Sequence, residues 1–138
     1  MYWDHTDVTR LGVVGSRSIN LIDHVQSAVA SSPWWGSPVA LDDFKFVSGG
    51  ADGVDTLIET LAKEKEWEVE VIEPDYSDWS RGHPAKVRNT DIVKRSDAIV
   101  AVWDGKSTGT RDTIDKALDR GVPIYVHVVG ENRSDQKT

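Results

Sequence analysis

Short apolar bursts alternate with amphipathic stretches along almost the whole chain, and that rhythm constrains the fold more than any single residue does. Leu11-Gly12-Val13-Val14 reads as a buried strand ending at Gly15-Ser16-Arg17. Ile19 to Ala30 carries apolar residues at helical spacing (Leu21, Ile22, Val25, Ala28, Val29), which predicts a first helix. Ser31 to Asp43, with Pro33 and Pro38, is expected to be a loop. A second strand is predicted over Phe44 to Val47 and a helix from Val54 to about Glu66. Glu68 to Glu73 alternates apolar and acidic residues, the pattern of an edge strand with one wetter face. Pro84 opens a third helix running to about Arg95, because a proline in the first turn forfeits no hydrogen bond. Ala98 to Trp103 is the most apolar segment and the expected central strand. A fourth helix over Thr110 to Arg120, closed by Gly121, leads to a fifth strand over Ile124 to Val129.

Strand–helix alternation of this kind implies a Rossmann-like α/β/α sandwich around a five-stranded parallel sheet. Right-handed crossovers then favour the order 3-2-1-4-5, with ligands at the carboxyl ends of strands one and four, where the winding reverses. The 138 residues suffice for one core. We read residues 1–10 as an extension, 11–129 as the domain and 130–138 as a tail.

Composition narrows the function. Hydrophobic residues make up 38% and charged residues 28%, which is globular composition. No apolar run approaches the roughly 20 residues of a membrane helix, and the polar, acidic start does not read as a secretory signal. Cytoplasm is the expected compartment. The absence of cysteine removes disulfides, thiolate metal sites and cysteine nucleophiles. The net charge of −7 argues against general nucleic-acid binding, which needs a basic face. A small anion remains compatible, since backbone N–H groups hold one with few cations.

Three loops carry the candidate chemistry. Ser48-Gly49-Gly50-Ala51-Asp52-Gly53-Val54-Asp55 lies between a strand and a helix, where glycines permit a sharp turn and close approach to a ligand. Asp55 would equally serve the helix dipole. Gly15-Ser16-Arg17 follows the first strand, with Ser18 as a candidate cap and Arg17 as a phosphate partner. Trp103-Asp104-Gly105-Lys106-Ser107-Thr108-Gly109-Thr110 follows the central strand and suits phosphate or ribose. It is not a P-loop, because the glycine–lysine spacing is wrong. Asp112 is expected in the first turn of the next helix. Lys86 and Asn89 share a helical face, while Arg88 is expected to point elsewhere. Trp79 and Trp103 flank the predicted crevice, and either could cover a purine. The four histidines show no metal-ligand spacing, so no metal and no cofactor are assigned. The dinucleotide fingerprint is missing after the first strand, which argues against a nicotinamide oxidoreductase.

Taken in order, Gly15-Ser16-Arg17, Ser48 to Asp55, Arg88-Asn89, Ser96-Asp97-Ala98 and Trp103 to Thr110 resemble the SLOG superfamily. That Rossmann-like group contains DprA and the LOG phosphoribohydrolases, and the nearest match within it looks like the small bacterial and phage family with a DUF2493 (YspA-like) domain. The resemblance spans roughly Leu11 to Val128 and implies a nucleotide or nucleotide-derivative site. It implies a homodimer as well, which is common among such relatives. In the phosphoribohydrolases an arginine before strand four and a glutamate after a Gly-Thr pair are catalytic, and Arg88 and Asp112 stand at those positions. Two departures put glycosidase activity in doubt: Asp104-Gly105-Lys106-Ser107 replaces a Pro-Gly-Gly turn, and the shorter Asp112 replaces the glutamate.

Three functions follow as expectations. The first is a sensor or processing domain for a nucleotide-derived, ADP-ribose-like ligand. In it Arg17 or Lys106 supplies the phosphate charge, and Asp52 or Asp55 accepts from ribose hydroxyls. The second is an N-glycosidase acting on a nucleoside monophosphate, with Asp112 stabilising the oxocarbenium charge and Arg88 anchoring phosphate. The third is single-stranded DNA binding of the DprA type, against which the net charge speaks.

Overall fold

The computed structural model, which describes residues 9–34, 45–51 and 53–130, puts the most apolar segment at the middle of the molecule. The elements run β1 (Arg10–Gly15), α1 (Ile22–Ser31), β2 (Lys45–Ser48), α2 (Val54–Glu64), β3 (Glu68–Val71), α3 (Pro84–Arg95), β4 (Ala98–Trp103), α4 (Thr108–Arg120) and β5 (Ile124–Val128). Every strand pairs in parallel, in the order β3-β2-β1-β4-β5. Ala98 to Val102 of β4 are wholly buried, as a strand covered on both faces must be. Its even-numbered residues, Ala98, Val100 and Val102, pack with Leu11, Val13, Val25, Phe46 and Ile58 beneath α1 and α2. Its odd-numbered residues, Ile99 and Ala101, pack with Val14, Val47, Ile92, Val93 and Ala117 beneath α3 and α4. One strand therefore divides the core into two layers.

Local chemistry sets the boundaries. α3 starts at Pro84 because His83 Nδ1 accepts from the Ala85 amide at 3.2 Å. α4 starts at Thr108, two residues before the expected Thr110, because Ser107 is its N-cap and accepts from the Thr110 amide. Gly121 ends α4 at φ 71°, a left-handed cap without Cβ strain. α1 begins at Ile22 rather than Ile19, because Ser18 donates to the Asp104 carboxylate instead of capping a helix. β1 takes in Arg10, assigned above to the extension, because the Asp97 carboxylate accepts from the amides of Thr9 and Arg10. β3 stops at Val71, short of Glu73, and is the edge strand its alternation predicts. β5 ends at Val128 rather than Val129. Phe44, at the expected start of the second strand, lies outside the described residues.

Candidate functional site

Right-handed crossovers send the chain from β1 toward β2 and β3, and from β4 toward β5. The loops after β1 and β4 therefore part at one point, leaving a crevice of about 740 Å³ between them. Ser16, fully buried, ties the two loops together: its amide donates to the Val102 carbonyl at 3.0 Å, and its Oγ accepts from the Asp104 amide at 3.0 Å. The Asp104 carboxylate folds the second loop by accepting from the amides of Lys106 and Ser107 and from Ser18 Oγ. Desolvation is the largest single influence and opposes its charge, but those two amides and the Ser18 and Ser16 hydroxyls together outweigh it and hold its pKa down to about 2. Asp104 is thus a fixed anion that shapes the loop.

Four cations border the crevice: Arg17 from the loop after β1, Lys86 and Arg88 from α3, and Arg111 from α4. The first turn of α4 opens on the same space through Thr108, Gly109 and Thr110, where helix amides have no partner within the helix. Four carboxylates, Asp55, Asp104, Asp112 and Asp115, border it too, so the cations offset the local acidic charge on a chain that is acidic as a whole. Ser107→Ala removes the side-chain cap of this turn and is expected to reduce stability by about 1 kcal/mol in urea denaturation.

Arg88 points into this region, contrary to the helical-face expectation. Its Nη1 donates to the Gly49 carbonyl and its Nε to Asn89 Oδ1 at 2.9 Å. Asn89, 6% exposed, hands the connection on, its Nδ2 donating to Gly109 O at 3.3 Å and Asp112 Oδ2 at 3.0 Å. Asp112 stands in the second turn of α4, not the first, and its Oδ2 also takes Lys116 Nζ at 2.8 Å. Lys116 further donates to the Lys86 carbonyl, so α3 and α4 are laced together beneath the crevice.

Asp55 is the unusual member. It lines the crevice from the first turn of α2 yet is only 4% exposed. Its Oδ2 accepts from the Ala51 amide at 3.2 Å, while its Oδ1 is buried without a hydrogen-bond partner among the described residues. Burial raises its pKa to about 7, against the opposing pull of the Ala51 amide and Arg88. The same burial pushes the Arg88 guanidinium down from its ordinary value, although Asp55 counters this.

Of the residues singled out in the sequence, Gly15, Arg17, Ala51, Asp55, Arg88, Asn89, Asp104, Ser107, Gly109, Thr110 and Asp112 meet at the crevice. Ser16 does not border it, being used internally. Gly49, Gly50 and Gly53 lie behind the wall, and the space a side chain would need there is filled by the protein's own atoms. A Cβ on Gly53 would come within 2.5 Å of Ser16 O, and one on Gly49 within 2.9 Å of both Arg88 Nη1 and Asp55 Oδ2. Gly50 adopts φ 71° beside Glu73. Trp103 and Trp79 do not cover the crevice. Trp103 Nε1 donates to Ser107 O, while Trp79, 57% exposed, donates to Tyr76 O and meets the His83 ring edge-on at 5.0 Å. Gly105 and Lys106 form the turn beyond the rim. Asp52 lies outside the described residues. Sequence reasoning passed over His83 and Arg111 as lining residues; the His-Pro cap before α3 and the arginine directly after Gly109-Thr110 were the available signals. Among the described residues no cluster of His, Cys, Asp or Glu has metal-binding geometry, and no helix is long and apolar enough to cross a membrane.

These features define a Rossmann-like α/β domain with a polar crevice at its topological switch point. Among solved structures it is similar to DNA processing protein A (DprA) from Streptococcus pneumoniae, with a TM-score of 0.65 and 17% identity. The likeness covers 89% of this chain and 51% of that one, so this chain spans about half of that protein, and at that identity it is a likeness of fold. No family model and no curated protein matches the sequence.

Proposed function

We propose that the crevice binds a phosphate-bearing nucleotide or nucleotide-derived ligand, with its phosphate at the start of α4. The observation that carries this reading is the convergence of Arg17, Lys86, Arg88 and Arg111 on the α4 N-terminus around a crevice that also holds the buried, half-unpartnered Asp55. Free first-turn amides and guanidinium groups are the standard means of holding phosphate. A volume of about 740 Å³ falls within the range of small-molecule sites. The motif resemblance to the SLOG superfamily and its YspA-like members supports the same class of ligand.

Thermal-shift titration with adenosine 5′-monophosphate and ADP-ribose tests the proposal. A ligand at about 100 times its Kd should add roughly 2.7 kcal/mol. Arg17→Ala, which removes one charge-assisted contact, should weaken binding about tenfold. If no nucleotide or sugar phosphate stabilises the protein, the proposal fails.

Cleavage of an N-glycosidic bond is less well supported. Asp112 already accepts from Asn89 and Lys116, so the carboxylate this reading needs is partnered within the protein. Release of free adenine from the monophosphate, lost in Asp112→Asn, is the observation that reading requires. For single-stranded DNA the net charge of −7 is the obstacle, and salt-dependent binding of an oligonucleotide would be needed to overcome it.

A further inference from the structure

Asp55 borders the crevice but makes no contact with the phosphate in the reading above, and its surroundings are peculiar for a carboxylate. It is sealed under the Gly49–Ala51 turn, Oδ2 accepts from the Ala51 amide with the Gly49 amide also acting on the carboxyl, and Oδ1 has no hydrogen-bond partner among the described residues. The cation that acts on it is Arg88: both side chains lie 2.9 Å from the point that a Cβ on Gly49 would occupy. Glu59, one helical turn along α2, takes Ser48 Oγ at 2.7 Å and adds negative charge from the same side. The ionised form of Asp55 thus depends on Arg88, and Arg88 also faces the crevice.

We propose that Asp55 sets the charge of the ligand this site accepts: a phosphate that settles on Arg88 drives a proton from solvent onto Asp55, so a dianion enters together with one proton. The inference rests on the crevice being a phosphate site. Its physical basis is competition for one guanidinium. An anion on the crevice side of Arg88 places a second negative charge near a buried carboxylate, whose Oδ1 has no hydrogen-bond donor among the described residues. Protonation removes the conflict, and it is within reach because burial already holds the Asp55 pKa at about 7 in the free protein. The other charged groups nearby do not replace it. Arg17, whose charge is felt at Arg88, is a permanent cation that strengthens anion binding, Asp112 is paired with Lys116, and Asp104, with its pKa of about 2, keeps its charge throughout. His83 at the rim is separated by a His83→Gln control.

The test uses adenosine 5′-monophosphate as ligand and the full chain as protein. Above pH 7.5, where this phosphate is a dianion, wild-type affinity should fall by up to about tenfold per pH unit, the limit for one coupled proton. Asp55→Asn should vary less than about twofold over the same range. Calorimetry in two buffers of different ionisation enthalpy should report proton uptake by the wild type at pH 8 and none by Asp55→Asn. Should that variant fold poorly, a carbon-13 titration of the Asp55 carboxyl in the wild-type protein supplies the same answer: its midpoint moves to higher pH when the ligand is saturating. A midpoint that stays or falls, or equal proton uptake in both proteins, overturns this inference and leaves phosphate binding standing. Absence of binding at every pH overturns both.

Discussion

Gly15→Ala should destabilise the protein by about 3 kcal/mol or more, enough to lower the melting temperature by roughly 10 °C or to leave the chain unfolded. A Cβ at residue 15 would stand 2.3 Å from the Val102 carbonyl oxygen and 2.5 Å from Val54 Cγ2. Val54 could rotate or be trimmed, but the carbonyl belongs to the β1–β4 pairing at the centre of the sheet, where Gly15 is in register with Val102. That same oxygen receives the Ser16 amide, so displacing it also loosens the junction between the two crevice loops. The double variant Gly15→Ala, Val54→Ala should therefore recover only part of the loss. Gly109→Ala is the informative contrast. Apart from its chain neighbours and its own helix backbone, no described atom lies within 4 Å of its Cβ position, it stands in the first turn of α4, and alanine favours a helix over glycine by up to about 1 kcal/mol. Chemical denaturation of the two single variants measures the difference, and equal melting points would show that residue 15 does not need glycine.

That contrast marks how far the sequence could be read. Period-2 and period-3.6 patterns, together with caps such as Gly121, made the elements and their kinds legible, because each depends on residues close in the chain, and the crossover rules then gave the strand order. The place of the crevice followed from topology alone. The purpose of an individual glycine did not follow, since it depends on what stands opposite. Gly15 faces a carbonyl and Gly53 faces the Ser16–Arg17 backbone, and neither neighbour is adjacent in sequence. Arg88 was misdirected for a related reason. Helical spacing fixes where its Cβ leaves α3, but the long side chain bends to reach Gly49 O, 39 residues away. The isolation of Asp55 was equally hidden. A carboxylate at the start of a helix reads as a dipole partner until the turn before it folds over and excludes water.

The second large effect concerns stability and pH. An aspartate with an ordinary pKa near 3.8 in the unfolded chain and about 7 in the folded one binds more protons when folded throughout that interval. Stability from this group is complete below about pH 4 and is lost as pH rises through 7, because the folded state must then ionise a buried carboxyl. The interval corresponds to about 4 kcal/mol, an order-of-magnitude figure at 1.36 kcal/mol per pKa unit. Asp104 works in the opposite sense and in a different window: its pKa of about 2 gives stability above pH 4 that disappears as pH falls toward 2. Asp55→Asn, nearly isosteric and never charged, should come close to the wild type near pH 3.5 and exceed it at pH 8. Urea denaturation at both pH values measures the gap, and parallel pH profiles for the two proteins would rule the effect out. A residue that weakens the fold at neutral pH, at a position where asparagine would fit, is difficult to explain by packing alone. Such a stability cost is typical of positions held for function, and here it falls on the one carboxylate that is both buried and at the crevice among the described residues.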